Sequence, residues 1–340
     1  MTTIRKVFIT GGGGSVGRAV VRRFLDNQWQ VTTLSHPSEV HRLPFSSSDG
    51  VDIVVGELNS IEKTMIPSGS TVVHLAAKVH TVPKTREECD QFFYVNRDGT
   101  IRLGETALER DVRAFVFVST SGVYGNAFKE GACDETTPVC PTTPYTQSKW
   151  EAEQRLTEIL QPQCPLIIFR PSVMFGPYDR GNFNKLFRML RQGLIPLIAG
   201  GRSRKSILYS EDFASLLEFA ASHVECFNRI TYNAASMNHY SFRELCDIVV
   251  DVTGQRAIKI PLPTAVLKPL AWCGDFSRFL SGKEFPFSTR KLEVLQSDSI
   301  LNVSKLYAAI QGRLLLSTFE EGFERYIETG ISPWPFAALK

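Results

Sequence analysis

Apolar residues recur with two different periods along this chain, and the texture changes near residue 171. Before that point, short apolar runs of strand length alternate with segments in which apolar positions return every three or four residues. Strands are predicted at residues 6–10, 31–34, 52–55, 71–75, 114–119 and 166–170. Helices are predicted at 15–27, where Val16, Val20, Phe24 and Leu25 share a face, at 88–108 and at 145–160. Nearly continuous apolar strands separated by helices predict a parallel sheet buried on both faces, with right-handed crossovers. After Pro171, glycine and proline are frequent, and helices at 182–192, 211–222 and 241–253 stand between irregular stretches. The last of these opens on a capping box, Ser241 with Glu244. A strand at 230–233 is expected to return to the sheet, and helices within 285–340 to close a second lobe. The apolar segment 265–273 contains Lys268 and Pro269 and is shorter than the roughly 20 residues a membrane span needs. It is read as a core helix or surface cover in preference to a membrane-surface contact, and no internal repeat is found.

Between the first strand and the first helix lies Thr10-Gly11-Gly12-Gly13-Gly14-Ser15-Val16-Gly17. Gly11, Gly14 and Gly17 have the spacing G-x-x-G-x-x-G. Such glycines allow a tight turn, close backbone approach to a pyrophosphate and close packing of helix on strand. The helix N-terminus offers free N–H groups and the positive end of its dipole. A nicotinamide dinucleotide is therefore expected here, on an α/β, Rossmann-like doubly wound parallel sheet with a smaller mixed C-terminal substrate lobe. The division predicted is residues 1–172, rejoined by 206–236, for the dinucleotide-binding domain, with 173–205 and 237–340 as the substrate lobe. Proteins of this type that select NAD place an acid after the second strand. Ser35 and His36 stand there instead, and Arg42 is near enough in sequence to meet a 2′-phosphate. The cofactor expected is NAD or NADP, with NADP favoured.

Composition narrows the classes without naming one. The 340 residues are 43% hydrophobic and 21% charged, ordinary for a globular protein. A net charge of +3 with no basic run argues against a nucleic-acid binder. The seven cysteines are odd in number and lack C-x-x-C spacing, which predicts a reduced, cytoplasmic protein without disulfides, zinc or another metal. The N-terminus enters a strand with no signal-peptide core, and no membrane span is expected.

The reactive chemistry is expected at Tyr145-Thr146-Gln147-Ser148-Lys149. Residues four apart share a helix face, so the phenol and the ammonium can act together. A nearby ammonium favours the phenolate, and Tyr145 can then exchange a proton with a substrate hydroxyl while hydride moves at the same carbon. The fifth strand ends in three adjacent hydroxyls, Ser119, Thr120 and Ser121, where substrate sites of doubly wound sheets gather.

With these segments in place the chain resembles the extended short-chain dehydrogenase/reductase family, the NAD(P)-dependent nucleotide-sugar epimerases, dehydratases and reductases. His74-Leu75-Ala76-Ala77 matches its H-x-A-A segment, and Asn96-Arg97-Asp98-Gly99-Thr100 its N-x-x-G-T helix. Arg170-Pro171 with Phe175-Gly176-Pro177 matches its R-P-x-x-x-[YF]-G-P turn, and the matches keep the family's order from Val7 to about Ala220. Counting back from Val123-Tyr124-Gly125 favours Thr120 among the three hydroxyls. The resemblance implies that Thr120 bonds the reacting oxygen, Tyr145 is the acid/base, and Lys149 holds the cofactor ribose and tunes Tyr145. It implies a cofactor shell of Gly11, Gly13, Gly14, Ser15, Val16, Gly17, Ser35, His36, Leu58, Leu75, Ala76, Ala77, Asn96, Ser119 and Pro171, with Tyr145 and Lys149 themselves. Lys78, Ser121, Asn182, Arg204, Lys205 and Arg290 are its candidates for substrate, with Lys205 at the place of a diphosphate-binding Arg. Arg180 and Arg202 are equally readable as solvated surface.

The family's dehydratases carry Asp-Glu where this chain has Ser121-Gly122, which disfavours that reaction. What remains is an oxidoreductase or 4-epimerase acting on a nucleotide-diphosphate sugar by hydride transfer. A steroid- or flavonol-type alcohol dehydrogenase is the alternative, favoured by the apolar stretch 265–280 and opposed by the basic cluster 202–205. A non-catalytic NAD(P)-binding sensor is opposed by the presence of both Tyr145 and Lys149. A homodimer through the helices of Asn96 and Tyr145 is implied by the family.

Overall fold

The computed structural model describes residues 4–79, 83–179, 182–228, 230–281 and 288–329. Six strands precede residue 172: β1 (Lys6–Thr10), β2 (Gln30–Ser35), β3 (Val51–Val55), β4 (Thr71–His74), β5 (Ala114–Val118) and β6 (Leu166–Pro171). Six shorter or more exposed ones follow: β7 (Val173–Phe175), β8 (Leu194–Ile198), β9 (Arg204–Tyr209), β10 (Thr231–Ala234), β11 (His239–Ser241) and β12 (Ile258–Leu262). A seven-stranded sheet has the order β10-β6-β5-β4-β1-β2-β3, and every pairing in it is parallel. The chain reverses direction of growth between β1 and β4. In doubly wound sheets a crevice for ligands opens at such a switch point, beyond the carboxyl ends of the strands.

Both faces of this sheet are covered, as the apolar strands require. On one face α1 (Ser15–Asp26) buries Val20, Val21 and Phe24. The same cluster takes in Phe213 and Leu217 of a later helix that packs against α1. On the other face Leu103 and Ala107 meet Ala152, Leu156 and Leu160 around Phe115 and Phe117. The helix predicted at 88–108 is built in three parts: α2 (Arg86–Phe93), a π-helical turn Tyr94–Asp98 and α3 (Gly99–Glu109). After them comes α4 (Pro144–Leu160).

The second half carries α5 (Asn182–Arg191), α6 (Ser210–Ser222), α7 (Phe242–Thr253), α8 (Thr264–Ser281), α9 (Thr289–Gln296), α10 (Ser304–Ile310) and α11 (Phe319–Glu328). The capping box expected at the start of α7 is formed: Ser241 Oγ accepts the Glu244 N–H at 3.1 Å, and the Glu244 carboxylate accepts the Ser241 N–H at 2.6 Å. The expected strand near 230–233 is β10, paired with β6 in the main sheet. Two small sheets, β11-β9-β7 and β12-β8, were not expected. Their strands are three to six residues long, and β8 and β12 each carry a proline, so neither the period-two pattern nor a long apolar run marks them. An aromatic core from Phe175, Phe183, Phe187, Phe319, Phe323 and Tyr326 holds this lobe together.

The apolar segment at 265–273 belongs to α8 and is a surface cover, not a core helix. Only Leu267 and Ala271 turn inward, onto Leu292, Ile198 and Leu262.

Candidate active site

The glycine turn is forced by contact rather than by flexibility alone. A Cβ on Gly17 would lie 2.0 Å from the Gly11 carbonyl oxygen, and one on Gly11 would lie 2.7 Å from the Ala76 nitrogen. Gly11 also has φ +75°, a left-handed conformation that L side chains avoid. The Gly14 N–H donates to the Gly11 carbonyl at 3.0 Å, closing the turn. Gly14 then stands as the N-cap of α1 with no side-chain cap, and the first turn, from Ser15 through Val16 and Gly17, holds no acid. The result is an uncapped helix N-terminus behind a cradle that any Cβ would fill, which fits a pyrophosphate. Arg18 steadies the turn: its Nε donates to the Gly13 carbonyl at 3.1 Å, and its guanidinium lies 4.7 Å from the ring centre of Tyr178.

The opposite wall is the segment after β4. The Leu75 N–H donates to the Thr10 carbonyl at 3.1 Å, and the Ala76 N–H donates to Thr10 Oγ1 at 3.2 Å. From Thr10 a buried chain of hydrogen bonds runs away from the turn. Thr10 Oγ1 meets His74 Nδ1 at 2.6 Å, and His74 Nε2 meets Thr100 Oγ1 at 2.8 Å. Thr100 donates its hydroxyl hydrogen to the Asn96 carbonyl at 2.6 Å. That accounting leaves His74 neutral, accepting at Nδ1 and donating from Nε2. Burial first, and then the nearby Lys149 charge, hold its pKa well below the ordinary value.

Asn96 lies in the π-helical turn, where the extra residue swings its side chain onto the loop after β4. Its Oδ1 accepts the Lys78 N–H at 2.7 Å, and its Nδ2 donates to the Lys78 carbonyl at 3.1 Å and to Ser148 Oγ at 3.2 Å. One side chain thus clamps the loop that carries Leu75, Ala76 and Ala77 to the helix that carries Tyr145.

That helix, α4, starts where its sequence says it must. Thr143 is the N-cap and accepts the Thr146 N–H at 3.1 Å; Pro144 takes the first helical position, where no N–H is needed. Tyr145 is half-buried, with its ring 6.5 Å from that of Phe92, and its hydroxyl is hydrogen-bonded to Thr120. Burial pushes its phenol up to about 12, and the Thr120 bond opposes that rise. Lys149, one turn on, is fully enclosed. Its ammonium lies 4.1 Å from the ring centre of Phe117, and among the described residues no carboxylate is within ion-pairing distance. Burial brings it down to about 7, against a restoring pull from Glu153. The chain by itself therefore does not lower the Tyr145 pKa as the sequence reading expected. Desolvation of the phenol outweighs the hydrogen bond from Thr120.

The three adjacent hydroxyls separate. Ser119 donates to Glu153, which also takes a bidentate pair from Arg170, closest at 2.6 Å. Arg170 continues to the Tyr124 hydroxyl at 3.0 Å, and Tyr124 to Asn233 at 2.8 Å. This buried network ties β5, α4, β6 and β10 together. It was not singled out in the sequence, although Glu153 stands four residues after Lys149 and Arg170 opens a recognised turn. Thr120 faces Tyr145, and Ser121 begins the 3₁₀ segment that Thr120 caps. Gly122 is packed close: a Cβ there would meet Thr146 Cγ2 at 2.8 Å and Thr120 Oγ1 at 3.3 Å.

At the adenosine end, Ser35 is buried and His36 exposed. Pairing of β2 with β3 carries a carboxylate to this spot. The Gly56 N–H donates to the Ser35 carbonyl at 3.0 Å, and Glu57 lies 3.3 Å from His36 Nε2. No acid follows β2 in sequence, yet one stands beside it in space. Leu58, next in the chain, packs on Gly99. Arg42 is exposed, with its Nε on His41 at 3.2 Å. Pro171 closes β6, and the buried hydroxyl of Ser172 beside it has no hydrogen-bond partner.

The candidates for substrate are less gathered. Lys78 donates to Gln91 at 2.6 Å. Arg204 donates to the His239 carbonyl at 3.0 Å. Lys205, expected at a diphosphate, donates to the carbonyls of Ser297 at 2.6 Å and Val294 at 3.3 Å and to Ser299 Oγ at 3.1 Å. It caps the C-terminal end of α9, where a cation is favoured by the helix dipole. The side chains of Asn182 and Arg290, and the whole of Arg180, lie outside the described residues. Among the described residues there is no cluster of three or more His, Cys, Asp and Glu arranged for a metal, and no helix is long and apolar enough to cross a membrane.

The model of the NAD dependent epimerase/dehydratase family matches residues 7–235 of this chain. UDP-glucose 4-epimerase of Vibrio cholerae is 26% identical over 287 residues, 82% of this chain and 83% of that protein. An Escherichia coli O157:H7 protein, N-acetyl-alpha-D-glucosaminyl-diphospho-ditrans,octacis-undecaprenol 4-epimerase, is 23% identical over 242 residues, 70% of this chain and 71% of its own. Among solved structures, UDP-N-acetylglucosamine 4-epimerase from Methanobrevibacter ruminantium M1, in complex with UDP-N-acetylmuramic acid, superimposes with a TM-score of 0.77 at 20% identity. That match covers 97% of this chain and 99% of the other.

Proposed function

The chain belongs to the NAD dependent epimerase/dehydratase family, and on that premise we propose that it is a 4-epimerase or oxidoreductase of a nucleotide-diphosphate sugar. The single observation that carries this reading is the hydrogen bond between the Tyr145 and Thr120 hydroxyls, one helical turn from the enclosed Lys149. Thr120 holds the sugar hydroxyl, and Tyr145 takes its proton at the phenol oxygen, returning it in the reverse direction. Lys149 holds the cofactor ribose and, in its protonated form, places positive charge beside the phenol. When bound, the oxidised nicotinamide dinucleotide supplies the hydride acceptor and a positive ring. Gly11, Gly13, Gly14, Ser15, Val16 and Gly17 would hold its pyrophosphate. Ser35 and His36 would meet the adenosine, and Leu58, Leu75, Ala76, Ala77, Asn96 and Pro171 would line its bed. Ser119 serves through Glu153 rather than by touching a ligand.

Epimerisation or simple redox is favoured over dehydration. Elimination of water needs a second acid and base, and the positions that supply them in the dehydratases are Ser121 and Gly122 here. A larger side chain at Gly122 would have to displace Thr146. NAD is favoured over NADP, because Glu57 brings a carboxylate to the end of β2 and would oppose a 2′-phosphate. This reverses the preference drawn from the sequence, which saw no acid there. The relatives named as acting on UDP-linked and polyprenyl-diphosphate-linked sugars support a sugar diphosphate as substrate. Lys78 and Ser121, from the dinucleotide-binding domain, and Arg204, Asn182 and Arg290, from a lobe formed by 173–205 and 237–340, remain its candidate contacts. A steroid-type substrate loses its one argument, since α8 turns most of its apolar residues outward. We read the assembly as a homodimer through the helical segment that contains Asn96 and through α4, which contains Tyr145. Tyr145→Phe should lower turnover of the right sugar nucleotide by roughly 100-fold or more, the usual contribution of a general acid/base, while calorimetric affinity for NAD changes little. Unchanged turnover would sink the assignment.

A further inference from the structure

Tyr178 is held in a backbone conformation that its side chain disfavours. Its φ is +67°, in the left-handed region, where a bulky L residue is an outlier and marks a constraint imposed by its surroundings. The other described non-glycine residues in that region are Gln28, Asp111, Ala199 and Gln311, none of them aromatic. The source of the constraint lies two residues earlier. Gly176 has φ +147°, and a Cβ on it would lie 2.1 Å from Ser210 Oγ, at the start of α6. The Asp179 N–H donates to the Gly176 carbonyl at 3.2 Å, closing a tight turn around Tyr178. Helix α6 in turn packs against α1. The turn that carries the chain from β7 toward α5 is thus seated on the helix layer that the glycine turn opens.

That seat brings the Tyr178 ring to one residue of α1. The Arg18 guanidinium lies 4.7 Å from the ring centre, and its Nε donates to the Gly13 carbonyl at 3.1 Å. Among the described residues the Arg18 side chain has no ion pair and no second hydrogen-bond acceptor. A planar guanidinium can lie against an aromatic face and donate at its edge at the same time, which an ammonium cannot. The Gly13 carbonyl belongs to the peptide whose N–H, that of Gly14, donates to the Gly11 carbonyl at 3.0 Å. Both polar groups of this peptide are therefore committed, one to Arg18 and one to Gly11. The N–H groups of Ser15, Val16 and Gly17 form the first turn of α1, have no intrahelical partner and are left for a pyrophosphate.

We propose that Tyr178 and Arg18 form a latch through which the lobe that begins after β7 sets the affinity of the glycine turn for the dinucleotide's pyrophosphate. Tyr178 holds the guanidinium in place. The guanidinium fixes the Gly13–Gly14 peptide and brings to the phosphates a positive charge that no carboxylate of the described chain neutralises. Tyr178 is a positioning residue that acts through Arg18, and neither takes part at the reacting carbon. The latch rests on dinucleotide binding at the glycine turn and on no sugar substrate. Its failure therefore leaves the nucleotide-sugar reading standing, and failure of that reading leaves the latch standing.

The test is calorimetric titration of the full chain, without substrate, by NAD and by ADP-ribose, which keeps the pyrophosphate and lacks the nicotinamide. Tyr178→Gly removes the ring and suits a positive φ, so its melting temperature should stay within a few degrees of the wild type. Its affinity for both ligands should fall about threefold to tenfold, the effect of losing a cation–π contact and loosening one hydrogen bond. Tyr178→Phe keeps the ring and should bind both as the wild type does. Arg18→Met should lose at least roughly tenfold, and adding Tyr178→Gly to it should cost nothing more. The proposal is overturned if Tyr178→Gly binds both ligands as the wild type does, or if its loss is confined to NAD, which would place the effect at the nicotinamide. It is also overturned if the losses from Tyr178→Gly and Arg18→Met add in the double variant, or if the wild type binds neither ligand.

Discussion

Lys149 is held in the fold against its own solvation, and replacing it should make the cofactor-free chain more stable. Burial brings its pKa from 10.5 to about 7. Below pH 7 the folded and unfolded chains both carry the proton, and the cost of enclosing the charge is felt in full, at most about 5 kcal/mol by linkage. Between 7 and 10.5 the unfolded chain binds a proton that the folded one lacks, so wild-type stability rises with pH in that window. By about pH 9 the cost has fallen to roughly 2 kcal/mol, and it vanishes above the unfolded pKa. Lys149→Met keeps a chain of similar length against Phe117, where a thioether packs well on an aromatic ring. Glu153 keeps its compensation from Arg170 in this variant. Urea denaturation followed by circular dichroism, without cofactor and at about pH 6 and about pH 9, should show a gain that is larger at the lower pH. Loss of stability at the lower pH, or the same gain at both, would refute the reasoning. The variant should also lose turnover, a trade of activity for stability common at functional sites.

Three further substitutions probe other parts of the account. Gly17→Ala puts a methyl 2.0 Å from the Gly11 oxygen; it should cost about 1–3 kcal/mol and weaken NAD by at least roughly tenfold, read by thermal melting and calorimetry. Arg170→Met leaves Glu153 buried without its partner and should cost about 3–5 kcal/mol in chemical denaturation, with most of it recovered in Arg170→Met/Glu153→Leu. Glu57→Gln removes the carboxylate beside His36 and should raise kcat/KM for NADP relative to NAD several-fold in steady-state assays, with little change in melting temperature.

Where local rules decide structure, the sequence was legible. The glycine turn is legible because Gly14 and Gly17 are closed to side chains by Gly11 within the turn itself, and Gly11 by its left-handed φ as well as by Ala76. Ser241 and Glu244 announce a helix start because both halves of the capping box lie within three residues. The order of apolar strands gives the parallel sheet. What escaped depends on partners distant in sequence. Glu57 reaches the end of β2 only through the β2–β3 pairing, so a search immediately after the second strand found no acid. The count back from Val123-Tyr124-Gly125 already favoured Thr120 among the three hydroxyls; what it could not show is that Glu153, a turn along α4 from Lys149, takes Ser119. Lys205 carries the charge expected at a diphosphate, but the bare carbonyls ending α9 claim it. The five small-sheet strands are too short, and in β8 and β12 too interrupted by proline, for periodicity to declare them.

The central claim is hydride chemistry on a nucleotide sugar by way of Tyr145. Its most direct measurement is proton nuclear magnetic resonance of UDP-glucose and UDP-N-acetylglucosamine incubated with the chain and NAD. The account predicts conversion of at least one to its 4-epimer or to a keto or oxidised sugar, with loss of that conversion in Tyr145→Phe. Conversion that survives in Tyr145→Phe, or release of water to give the 4-keto-6-deoxy sugar, would contradict it.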